Sequence, residues 1–195
     1  MAKKVGITGG IGSGKTTVCK IFEFLGVPIF YSDEVAKNIL VTNQSVIRQI
    51  QEVFGEEAYN LDSTYNKQFV ASKIFNDKSL LLKLNSIIHP IVIEENLIWN
   101  YKYKDSPYII NESALIFESN KYKLFDKIIV VYCPEYIKID RVMKRDNLNK
   151  DQVRERIKNQ LADIEKIRLS DMVIINNNEI SLLSQIHYIH NKLTN

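Results

Sequence analysis

Five short apolar runs punctuate this chain, and the stretches between them carry apolar residues at helical rather than alternating spacing. Val5-Gly6-Ile7-Thr8 comes first and runs into a glycine-rich turn. A helix is expected next, over about Lys15 to Leu25, with Val18, Ile21, Phe22 and Leu25 on one face and Gly26 as its stop. Val27-Pro28-Ile29-Phe30-Tyr31 reads as a second strand ending at Ser32-Asp33. From there to about Tyr103 the pattern is mostly helical, with breaks near Gly55 and around Asn60-Leu61-Asp62. Tyr108 to Asn111, Ile128 to Tyr132 and Met172 to Asn176 are three further strand-like runs. A charged helical stretch from Pro134 to Arg168 separates the last two, and a helix over about Ile180 to Leu193 closes the chain. Near-continuous apolar strands separated by helices predict an α/β fold, a five-stranded parallel sheet with helices on both faces.

Composition narrows the classes without choosing among them. The chain has 195 residues and a net charge of +3, with its basic residues scattered. A nucleic-acid binder usually shows a dense basic stripe, so no nucleic-acid partner is expected. No apolar run approaches the ~18 residues of a membrane span, and Met1 to Gly6 run straight into a strand. The expectation is a cytoplasmic protein with no membrane partner, either a monomer or a small homo-oligomer. Cys19 and Cys133 are far apart and in apolar contexts, which reads as two buried hydrophobes. His187 and His190 lack companions that would make a metal site.

The chemistry sits in Gly9-Gly10-Ile11-Gly12-Ser13-Gly14-Lys15-Thr16, which fits G-x-x-x-x-G-K-[ST] at every fixed position. Glycines let the backbone wrap an anion, and the N-terminus of the following helix offers unpaired N–H groups and a favourable dipole. Gly12, Ser13, Gly14, Lys15, Thr16 and Thr17 are therefore the candidate ATP-binding residues. Lys15 would reach the outer phosphates and Thr16 would coordinate Mg²⁺. The motif lies between an apolar strand and an amphipathic helix, the context that its mechanism requires. Neither Asn-Lys-x-Asp nor Asp-x-x-Gly occurs, which removes the GTPase class. A small-molecule kinase remains: one P-loop kinase domain with a helical substrate lobe over about 34–104 and a helical lid over about 134–168.

Asp33 follows the second strand, and strand C-termini line the ligand crevice of such sheets. It is either a base for an attacking hydroxyl or a helix N-cap. Glu112 also ends a strand, where an acid can join the Mg²⁺ shell or be a plain loop carboxylate. Arg141 and Arg145 lie one helical turn apart in the charged stretch and are the candidates to close over the transferring group.

Together these residues resemble the dephospho-coenzyme A kinase family over essentially the whole chain. The matching segments are Ile7 to Thr17, Ser32-Asp33, Ile88-His89-Pro90-Ile91-Val92, Leu115-Ile116-Phe117-Glu118, Arg141 to Arg145, Gln160 and Ser170 to Asn176. The resemblance implies transfer of the γ-phosphate of ATP to the ribose 3′-hydroxyl of dephospho-coenzyme A, with Mg²⁺. It implies Asp33 as base, Thr8, His89 and Glu118 near the substrate, and Asn176 near the adenine. The His-Pro pair is expected at the end of the helical middle lobe, where His89 either meets substrate or caps a helix. Where the family usually has Asp-x-Pro-Leu-Leu-Phe-Glu, this chain has Glu112-Ser113-Ala114-Leu115-Ile116-Phe117-Glu118, with a longer acid and no proline. A nucleoside monophosphate kinase and a non-catalytic nucleotide-binding regulator are the rival readings.

Overall fold

The computed structural model describes residues 1–194, with the side chains of residues 76 and 78 excepted. By contacts the chain divides into two compact units, one of Met1–Tyr31 with Lys102–Asn195 and one of Ser32–Tyr101. The first unit carries five strands: β1 (Lys3–Thr8), β2 (Ile29–Tyr31), β3 (Tyr108–Glu112), β4 (Lys127–Tyr132) and β5 (Met172–Ile175). All pair in parallel, in the order β2-β3-β1-β4-β5. The sheet therefore has the expected strands and direction, although β2 starts two residues later than the apolar run.

Alternation along the strands explains how both faces are filled. On β4, Ile129 and Val131 join Val5, Ile7, Tyr108, Ile110 and Ile174 on one face. This face packs Val18, Cys19 and Phe22 of α1 (Lys15–Phe24), together with Ile186, Ile189 and Leu193 of the C-terminal helix. The intervening residues Ile128 and Val130 turn the other way, onto Ile116, Phe117, Phe125 and Ile167. Both cysteines are buried and unpaired, as small hydrophobes would be.

The second unit is helical. It contains α2 (Ser32–Thr42), α3 (Gln44–Phe54), a single 3₁₀ turn (Glu56–Ala58), α4 (Lys67–Asn76) and most of α5 (Lys78–Lys102). The Asn43 side chain caps α3 by accepting from Ser45 and Val46 N–H, and Val46, Ile50 and Phe54 form its buried stripe. The interruptions at Gly55 and 60–62 lie where the sequence places them. The His89-Pro90 pair does not lie at the end of a helix: Pro90 is inside the 25-residue α5. Its missing N–H removes the bond to the Ser86 carbonyl, which α5 tolerates because the flanking turns continue on both sides.

In the first unit the charged stretch forms three helices, α6 (Glu135–Asp146), α7 (Lys150–Lys158) and α8 (Asp163–Arg168), before α9 (Leu182–Thr194) closes the chain. Among the described residues no helix is long and apolar enough to cross a membrane. α8 is fastened to the turn after β3 by an ion pair whose ammonium is buried. Fully buried Lys166 lies 2.9 Å from Glu118 Oε1 and donates to the Ala114 carbonyl at 3.4 Å. Glu118 also accepts the Leu161 N–H at 2.9 Å. Burial alone would push the Glu118 carboxyl up, but these two donors hold it below the ordinary range. A depressed carboxylate contributes stability that is complete above its unfolded pKa and is lost as pH falls through the folded value. Glu118→Gln should therefore flatten the loss of stability below roughly pH 4.3, measured as Tm against pH. An unchanged acid slope would contradict the assignment. Lys166→Met should lower stability in denaturant unfolding at neutral pH, by less than the ~3–5 kcal/mol of a fully buried pair because the Glu118 carboxylate is partly exposed.

Candidate active site

The glycine-rich loop leaves the C-terminal end of β1, which lies between β3 and β4. The chain goes from β1 to one side of the sheet and later crosses to the other. The loop therefore sits at the topological switch point, where such sheets bind ligands. Gly14 is the residue before α1 and has left-handed backbone angles, φ 91° and ψ 25°, with no side chain capping the helix. The first intrahelical bond runs from Val18 N–H to the Gly14 carbonyl at 3.1 Å. By helix geometry the N–H groups of Lys15, Thr16 and Thr17 have no acceptor within α1, and the positive end of its dipole faces the same space. Lys15 bends back over the loop, its ammonium 2.9 Å from the Gly9 carbonyl and 3.4 Å from that of Gly10. The result is a cationic nest of backbone donors shaped for an oxyanion.

The nest is held from outside by residues far away in sequence. Asn176, just beyond β5 and 6% exposed, donates from Nδ2 to the Ser13 carbonyl at 2.8 Å. Its Oδ1 accepts from Arg141 Nη2 at 3.2 Å, and the same guanidinium donates to Asn178 Oδ1 at 2.7 Å. Arg141 Nη1 reaches the Gly12 carbonyl at 3.5 Å and the Cys133 sulfur at 3.6 Å. A Cβ on Gly14 would stand 2.2 Å from Asn176 Nδ2 and 3.5 Å from Arg141 Nη1. Glycine is thus required twice, by the backbone angle and by the approach of Asn176.

A family model described as dephospho-CoA kinase matches residues 3–181. A dephospho-CoA kinase of Bacteroides fragilis is 38% identical over 187 residues, which cover 95% of this chain and 90% of that protein. The chain belongs to the dephospho-CoA kinase family. A solved structure from Thermus thermophilus superimposes with a TM-score of 0.86 at 25% identity, covering 100% of this chain and 99% of that one. A dephospho-CoA kinase from Campylobacter jejuni shares the fold, with a TM-score of 0.74 at 24% identity and coverage of 100% and 98%.

For a dephospho-CoA kinase, the first unit brings Gly12, Ser13, Gly14, Lys15, Thr16, Thr17, Asn176 and Arg141 to one end of the sheet. Thr16 and Thr17 are exposed, and the Thr16 hydroxyl makes no hydrogen bond among the described residues. Arg145 is not part of that group. Its fork grips the neighbouring Asp146 at 2.7 and 3.1 Å, and Asp146 also accepts from Arg156 at 2.9 Å. Sharing a helix face with Arg141 did not bring it to the loop, because the adjacent carboxylate holds it at the end of α6. Thr8 is fully buried, and its hydroxyl donates to the Ala114 carbonyl at 3.3 Å. Glu112 is 6% exposed, at the end of β3 beside Ile7 of β1 and Tyr31 of β2. Its negative charge helps to raise the Cys19 thiol, whose burial is the larger cause. Glu118 is the brace for Lys166 described above. In the second unit, Asp33 lies exposed in the first turn of α2, directly after β2, and His89 is exposed on α5. Asp33 is thus inside its helix and does not cap it.

Asn178 and Lys138 are neighbours of the loop that the sequence pattern did not single out. Nothing local marks them, since Asn178 meets Arg141 and Lys138 meets Asp163 from 37 and 25 residues away. Gly14→Ala should abolish ATP binding in calorimetry, because the new Cβ must displace Asn176 and unwind the left-handed turn. The backbone strain alone is worth about 1–2 kcal/mol of stability. ATP affinity within about twofold of wild type would mean that the nest is not where the triphosphate sits.

Proposed function

We propose that this chain transfers the γ-phosphate of ATP to the ribose 3′-hydroxyl of dephospho-coenzyme A, releasing coenzyme A and ADP. The observation that carries the reading is the uncapped start of α1, with Lys15 folded over it, in a chain that matches the dephospho-CoA kinase family along nearly its full length. The loop amides and Lys15 hold the donor phosphates, and Arg141 adds charge where negative charge spreads in the transition state. Asp33, following β2, takes the proton of the attacking hydroxyl as the new O–P bond forms and the bond to the leaving ADP oxygen breaks.

The free Thr16 hydroxyl and the strand-end carboxylate of Glu112 are hard oxygen donors of the kind that suit Mg²⁺. When bound there, the ion neutralises charge on the β- and γ-phosphates. The helical segment 134–168 serves as the lid, with Arg145 available to it once released from Asp146. His89 and the helices of 34–104 receive the acceptor. Thr8, whose hydroxyl donates to the Ala114 carbonyl, and Glu118, paired with Lys166, are the first unit's substrate-side residues in this reading. Asn176 sets the edge of the nucleotide site.

A panel of acceptors with labelled ATP tests the reading. Transfer to dephospho-coenzyme A, with the label mapped to the 3′-oxygen, is expected. Transfer to AMP or dTMP instead would point to a nucleoside monophosphate kinase, and ATP binding with no transfer to a regulator. In the same assay Asp33→Asn should lower kcat by roughly 10²–10⁴ while ATP affinity stays unchanged. A wild-type kcat would remove Asp33 from the chemistry.

A further inference from the structure

A second cluster holds the other half of the loop, and it comes from the segment that precedes β5. The Ile11 N–H donates to Gln160 Oε1 at 2.8 Å. Gln160 lies in the turn between α7 and α8, 149 residues away in sequence. Beside it the ammonium of Lys138 on α6, with 3% of its side chain exposed, forms an ion pair with Asp163 at the start of α8. A Cβ placed on Gly10 would stand 3.1 Å from Asp163 Oδ1, 3.3 Å from Lys138 Nζ and 3.7 Å from Gln160 Oε1. Three polar side chains, from α6, the turn after α7 and α8, therefore converge on the Gly10–Ile11 peptide.

That peptide is held at one end from within the loop and at the other from outside it. Gly10 contributes no side chain and resists rotation least. The Ser13 N–H at 3.1 Å and the Lys15 ammonium at 3.4 Å hold this peptide by the Gly10 carbonyl, and the direction of its other end, the Ile11 N–H, is completed from outside the loop. The amide oxygen of Gln160 supplies that direction. The Lys138–Asp163 pair builds the wall behind it, and the cost of burying the ammonium is met only while Asp163 stays opposite. Because the peptide is already oriented, the phosphates need not order it on binding, and less binding energy is lost.

We propose that Gln160 is a positioning residue for the phosphate donor, acting through the Ile11 amide, with the Lys138–Asp163 pair as its support. The consequence is that the packing of α6 to α8 and the geometry of the phosphate loop are coupled. The proposal rests on the reading of the loop as the site of the donor phosphates and is independent of which acceptor receives the phosphoryl group.

The test uses the full chain with Gln160→Met, which keeps the length of the side chain and removes the amide oxygen. Gln160→Leu serves if that variant does not fold. Affinities for ATP, tripolyphosphate and adenosine are measured by calorimetry, beside the thermal midpoint. Loss of one oriented amide should weaken ATP and tripolyphosphate by the same factor, about five- to tenfold, and leave adenosine unchanged. A lower midpoint with wild-type tripolyphosphate affinity would make Gln160 merely structural and overturn the proposal. So would an equal loss for adenosine. Binding requires no acceptor, so a wild-type protein that fails to phosphorylate dephospho-coenzyme A would sink the proposed activity while leaving this result readable.

Discussion

The start of α1 is the constraint on which the rest of the first unit depends. A helix N-terminus left without a capping side chain has three or four unpaired donors, and burying it without a partner is costly. The chain leaves that end open toward a ligand and fixes everything around it instead. Gly14 takes the left-handed turn, Asn176 closes on the Ser13 carbonyl, and Arg141 links Asn176 to the loop. β1 and β5 are separated by β4 in the sheet, so the Asn176 contact also ties the sheet's far edge to its centre.

The loop is therefore gripped at both ends by side chains that belong to other elements. Asn176 holds Ser13 and Arg141 reaches Gly12, while Gln160 holds Ile11. Charge is distributed with the same economy. The cations nearest the loop are Lys15, Arg141 and Lys138, and Lys138 is paired with the Asp163 carboxylate. Arg145 and Arg156 share Asp146 at the end of α6. Asp146 is held below the ordinary carboxylate range by the Arg145 hydrogen bond, so the trio is charged at neutral pH. An ion pair this exposed is weak, and releasing Arg145 toward a phosphate costs little.

Much of this was legible in the sequence because it depends on local pattern. The strand runs, the helix after the loop and the motif itself are all written in consecutive residues, and the family segments extend them across the chain. Asn176 was marked by the resemblance, but its contact to Ser13 spans 163 residues and no spacing rule could supply it. Lys138 read as one basic residue among ten in a charged stretch, and its burial comes from contacts with the glycine loop and Asp163 that no spacing shows. Arg141 and Arg145 looked equivalent because helical spacing places them on one face. The neighbouring Asp146 separates them. For His89 the sequence left a substrate contact and a helix cap open, and the cap falls away because Pro90 lies inside α5, which has enough turns on either side to carry the missing bond.

Amide hydrogen exchange across residues 13–18, with and without ATP, tests most directly whether the open start of α1 is where the triphosphate is held. Lys15, Thr16 and Thr17 should exchange quickly in the free protein, since they have no acceptor within the helix, while Val18 is protected by Gly14. ATP should slow all three by at least about tenfold. Unchanged exchange at these three amides, with protection appearing elsewhere in the chain, would contradict the account.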